Sequence, residues 1–132
     1  MPEPAITLRD AFSVYNTQVD LIMKFFTFLQ VVAAAVSGFM WTGGRQGIPH
    51  MPVVVGFALF ALGNGLLLLL AYRDGRRASL AIRSYRASHP DEIPDELSPM
   101  FSTFESYPGW LLVAIHIFVD TIAIAAIIKA PI

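Results

Sequence analysis

PVVVGFALFALGNGLLLLLAY, residues 52–72, contains no charged residue and only one strongly polar side chain inside the run, Asn64. About 20 residues of α-helix cross a hydrocarbon core of ~30 Å. The bilayer interior offers the backbone no water, so such a run must satisfy its own hydrogen bonds as a helix. A buried helix of a soluble bundle would show a polar face at every turn, and residues 53–70 do not.

Two further runs flank this one. Residues 21–41 are interrupted only by Lys24 near the start and Gln30 in the middle, and residues 110–128 carry His116 and Asp120. The sequence therefore predicts an all-α integral membrane protein, with 1–132 as a single membrane domain. Its three spans lie at about 21–41, 52–72 and 110–128, joined on one side by a long loop, 73–109. Composition agrees: 55% of residues are apolar and 14% charged, against roughly 45–50% and about 25% in soluble domains. A cleaved signal peptide is not expected, because Glu3, Asp10 and Asp20 precede the first run and the run is too long.

Lys and Arg set the orientation. Arg9, Lys24, Arg73, Arg76, Arg77, Arg83 and Arg86 fall on one side, and Arg45 and Lys129 on the other. The N-terminus and the 73–109 loop are thus expected in the cytoplasm, the C-terminus outside, and the setting to be a bacterial inner membrane. Trp41, Tyr72, Tyr107 and Trp110 fall at span ends, where amphipathic rings favour the headgroup region.

Ahead of the first span, Ile6, Leu8, Phe12, Val14 and Val19 form an apolar pattern, with Thr7 as a candidate N-cap and Asp10 three residues later. That pattern predicts a short N-terminal helix lying at the interface before the chain turns into the span. Gly43-Gly44 and Gly47-Ile48-Pro49 predict a tight outer turn. Beyond the second span, Arg73, Arg76, Arg77, Arg83 and Arg86 alternate with Leu80, Ile82 and Tyr85, which predicts a basic cytoplasmic extension of the second helix. Pro90 ends it.

The acidic residues Asp91, Glu92, Asp95 and Glu96 follow in a tandem Pro-Asp-Glu repeat. They form a candidate docking segment opposite the basic face, able to fold back or to pair with a neighbouring copy. The plainer role of the arginines is topology and attraction to anionic headgroups, at ~1 kcal/mol per residue near the surface.

Asp120 lies ten residues into the third span, near the middle of the bilayer, and His116 sits four residues earlier on the same face. A carboxylate there costs ~2.5–3.5 kcal/mol on insertion scales, so it faces protein or water. The pair can line a proton or cation path, or it can bond to Asn64 or Gln30 of another span and hold helices together. Asp20 and Lys24 form a second i, i+4 pair, read as a helix salt bridge whose lysine snorkels. Gly63-Asn64-Gly65, Ala61 with Gly65, and Ala34 with Gly38 allow close helix packing.

Catalysis is not expected, nor is a cofactor. Cysteine is absent, which removes disulfides, thiolate metal sites and iron–sulfur clusters. Only His116 lies within a span, so no pair of facing haem ligands exists, and no metal-binding cluster is visible. Walker, dinucleotide and nucleophile-elbow motifs are missing. A net charge of −1 gives no reason to expect nucleic acid as a partner. The expected partners are the lipid bilayer, other copies of the chain, and a cytoplasmic or membrane protein docking on 73–109.

Three spans with one polar pair cannot enclose a path alone. The first expectation is a homo-oligomer forming an ion channel, a proton-conducting pore or a depolarising effector, lined by His116, Asp120, Asn64 or Gln30. The second is a non-catalytic accessory or anchor subunit of a larger complex. A third is half of a dimeric transporter.

Overall fold

Thr7 opens the first helix. Its Oγ1 accepts from the Asp10 backbone N–H at 3.2 Å and donates to Asp10 Oδ2 at 2.6 Å, closing the cap that the sequence suggested. From there α1 runs Leu8–Trp41. α2 runs His50–Ser88; Pro52 sits in its first turn, where a missing N–H costs nothing. Tyr85 stacks on His89 at 4.3 Å as α2 ends, just ahead of Pro90. α3 runs Gly109–Lys129. The computed structural model describes residues 7–42, 47–91 and 108–131, and among these every regular element is helical. All three helices are long and apolar enough to cross a membrane, which makes this a membrane-embedded protein with three candidate spans among the described residues.

The expected interfacial helix does not form as a separate element. Residues 8–20 continue without a break into the span, as one helix of 34 residues. No proline or glycine interrupts residues 8–37. The apolar positions Leu8, Phe12, Tyr15, Val19, Ile22, Phe26, Leu29, Ala33, Val36 and Met40 recur at alternating steps of four and three, and each is buried or half-buried. α2 answers with the same spacing through Val54, Phe57, Ala61, Asn64, Leu68, Ala71, Gly75, Ala78, Ile82 and Tyr85. Such steps are the heptad seam of a coiled coil. The face expected to lie on lipid therefore packs against α2.

Length gives this seam its consequence. At 1.5 Å per residue, the 34 residues of α1 span about 51 Å and the 39 of α2 about 58 Å. The 21 residues of α3 span about 31 Å, close to one bilayer core. The three helices are tied at one end, where Trp41 Nε1 donates to the Ala126 carbonyl at 2.9 Å and a His50 ring nitrogen meets the Ala130 carbonyl at 3.0 Å. The excess of α1 and α2 therefore projects at the other end, as the open end of the α1–α2 hairpin, beyond the start of α3.

Two apolar clusters follow. One joins all three helices through Leu29, Ala33, Met40, Phe57, Ala61, Ala123 and Ile127. The other joins α1 to α2 through Ala11, Tyr15, Tyr72, Ala78 and Ile82, with Leu112 against it. Lipid tails are as apolar as these side chains, so the first cluster is held by close packing more than by water exclusion. In the projecting hairpin, by contrast, water exclusion does contribute.

Tyr72, at the end of the second expected span, does not face outward. It is buried in the second cluster, and its ring lies where a Cβ on Gly109 would come within 3.0 Å. Gly109 lets α3 start flush against that ring.

Candidate functional site

Between the two clusters lies a polar layer. Asn64 of α2 is buried, and its Nδ2 donates to the Phe25 carbonyl of α1 at 3.2 Å. Its Oδ1 then faces His116 Nε2 of α3, also at 3.2 Å. The other ring nitrogen, Nδ1, lies 2.6 Å from Asp120 Oδ2, one turn on. Gly65 lies against the ring: a Cβ there would stand 3.4 Å from the imidazole, in ordinary contact. One side-chain chain thus ties all three helices at a single level.

The order of donors fixes the imidazole. With the Asn64 nitrogen committed to Phe25, its oxygen can only accept, so Nε2 carries a hydrogen and donates it. A nitrogen and an oxygen 2.6 Å apart hold a proton between them, on Nδ1 or on Oδ2. The run of linked side chains ends at Asp120.

On that side the layer meets a groove. A cleft of about 310 Å³ between α2 and α3 is walled by Leu62, Leu66, Leu69, Val113 and Ile117, with His116 and Asp120 among its lining. The His116 side chain is 8% exposed and that of Asp120 18%. Asp120 Oδ1 is enclosed and has no hydrogen-bond partner. An unused acceptor deep in an apolar setting is costly, and this one belongs to a residue that borders the groove.

Gln30 is not part of this assembly. It lies exposed on another side, in a cleft between α1 and α3 lined also by Ala33, Ala34, Ser37, Val119 and Ala123. Asp20 and Lys24 make the expected salt bridge, at 2.6 Å and well exposed. Of the basic residues, Arg73, Arg76, Arg77 and Arg83 are exposed on the outer face of the α2 extension, Arg86 is half-buried, and Arg73 contacts Asp74 at 3.3 Å. Asp91 is exposed in the turn after α2. Glu92, Asp95 and Glu96, with Tyr107 and the Gly43-Gly44 part of the outer turn, lie outside the described residues. Among the described residues no three His, Asp or Glu side chains gather as metal ligands would.

The i, i+4 spacing made the His116–Asp120 pair readable in advance. The link from His116 to Asn64, 52 positions away, had no local signal beyond the two glycines around Asn64. No protein-family model matches this sequence, and no curated protein or solved structure matches it.

Proposed function

We propose that this chain is a homo-oligomeric protein of a bacterial inner membrane that conducts protons or small cations along a path bordered by Asp120 and His116. The observation that carries this reading is the ionisable pair, held in a fixed hydrogen-bond chain and opening onto a groove at mid-span depth. A carboxylate in that position is expensive unless it serves a path or a contact. The apolar walls on either side of Asp120 leave it as the single polar station, suited to a proton or a small, stripped ion. The N-terminus and residues 73–109 face the cytoplasm on the count of basic residues, and no catalysis or cofactor is involved.

Purified protein in liposomes loaded with a pH-sensitive dye tests this. Wild-type vesicles should dissipate an imposed proton gradient, and Asp120→Asn vesicles should hold it. Wild-type vesicles no leakier than protein-free ones would refute conduction.

A second reading is an accessory or anchor subunit. It is favoured by the projecting α1–α2 hairpin, whose outer face carries Arg73, Arg76, Arg77 and Arg83 at increasing height above the spans. Charges more than a Debye length of about 8 Å from a surface are screened from it. The upper arginines therefore suit a protein partner better than headgroups. Native mass spectrometry separates the readings: a closed oligomer of four or more copies supports the path, and a stoichiometric complex with another polypeptide supports the anchor.

A further inference from the structure

We infer that successive copies join head to tail, the α1–α3 face of one seating on the α2–α3 face of the next, with Gln30 of one copy donating to Asp120 of its neighbour. The inference rests on the oligomeric reading above and specifies its interface.

Gln30 is an exposed amide in the middle of an apolar span, and it makes no hydrogen bond to the described residues. Such a group in lipid leaves two N–H donors unsatisfied. Asp120 has the opposite surplus: Oδ2 is held by His116, and Oδ1 has no partner. The carboxylate borders the α2–α3 groove with its side chain 18% exposed, and Oδ2 keeps a second acceptor site for a donor from outside.

The two groups stand at one depth. Gln30 shares its cleft with Val119, the residue next to Asp120, and α1 and α3 run in the same direction through the bundle. Within one copy they lie on different faces, on either side of α3, so they cannot meet each other. Between copies with a common membrane depth they are level.

Shape agrees with chemistry. The donor's cleft is lined by Ala33, Ala34, Ser37 and Ala123, which let a neighbouring helix come close. The acceptor's groove is walled by leucines that can fill it. Because the two faces differ, the contact is heterologous and generates a ring or a chain instead of a symmetric pair. The path proposed above would then run between copies, with Gln30 from one wall and Asp120 from the other.

The protein has no cysteine, so disulfide trapping is clean. Ala34 lies one turn from Gln30 on the donor face, and the exposed Ala58 lines the acceptor groove at the matching end. Differently tagged Ala34→Cys and Ala58→Cys chains, co-expressed and oxidised in native membranes, should form a disulfide between the two tags. Either variant alone should stay uncrosslinked. Adding Gln30→Leu, which faces lipid in the isolated chain and should not disturb its fold, should lower association about three- to twentyfold per contact. A dimer from either single variant would mean a symmetric contact and overturn the inference. So would a failure of the mixed pair while native mass spectrometry still finds a homo-oligomer. A monomer in native membranes and in detergent would overturn the oligomeric reading itself.

Discussion

Replacing Asn64 with leucine should expose how the three helices are held. The side chain makes two hydrogen bonds, one to the Phe25 carbonyl and one from His116. Bonds between membrane helices average ~0.6 kcal/mol, and that is the expected loss at Phe25, a carbonyl already engaged within α1. The His116 side is different. Its Nε2–H sits in a side chain 8% exposed, and a buried donor left without an acceptor costs ~1–3 kcal/mol. Asn64→Leu should therefore destabilise the fold by about 1.5–3.5 kcal/mol.

In a His116→Leu background the orphaned donor no longer exists and Asn64 Oδ1 is itself left without a partner, so Asn64→Leu should cost at most ~0.6 kcal/mol. The coupling between the two sites is then at least about 1–3 kcal/mol. Reversible unfolding in mixed dodecyl maltoside and SDS micelles, followed by far-UV circular dichroism, measures each corner of the cycle. Additivity within ~0.5 kcal/mol would refute the claim that Asn64 acts by satisfying His116.

Three further outcomes are expected. Asp120→Leu should break both assembly and gradient dissipation, whereas Asp120→Asn keeps an acceptor and should assemble; identical detergent stability and oligomer mass for the two would remove the polar seam. Gly109→Ala should cost ~1 kcal/mol or more in the same unfolding assay, because the new Cβ meets the Tyr72 ring at 3.0 Å, while Gly65→Ala, at 3.4 Å from the imidazole, should be tolerated. Ala78→Asp should place a carboxylate in the α1–α2 seam and open the projecting hairpin to protease, leaving the spans protected; unchanged cleavage would mean the hairpin is not held by that seam.

The spans were readable because lipid tolerates few polar groups, and runs free of charge stand out in any sequence of this length. Two helix ends were readable too, at Thr7 and Pro90, since both residues act locally on the backbone. The seam was equally present, at steps of four and three from Leu8 to Met40, but Asp20 and Lys24 divide it by hydropathy into a polar and an apolar half. Hydropathy reports what surrounds a helix, and spacing reports what it packs against. Here the surroundings change at about residue 20 while the partner helix does not. Tyr72 shows the same division: its position along α2 suits a headgroup surface, and its side chain packs in the seam, against Gly109. The candidate site divided along similar lines. His116 and Asp120 are neighbours by helix geometry alone, whereas bringing Asn64 to them and setting Gln30 apart depend on how each helix is rotated in the bundle.

The unbroken run of α2 gives it reach. Asn64, its hydrogen-bonded contact with the other two helices, lies 24 positions from the last helical residue, Ser88, or about 36 Å along the axis. A tilt of about 5° around that point would swing the tip by ~3 Å while moving the pivot hardly at all. The helix contains no proline after its first turn to absorb such a motion as a kink. A load on the arginine-bearing arm would therefore be shared along the α1 seam and would reach the level of Asn64 through straight helix.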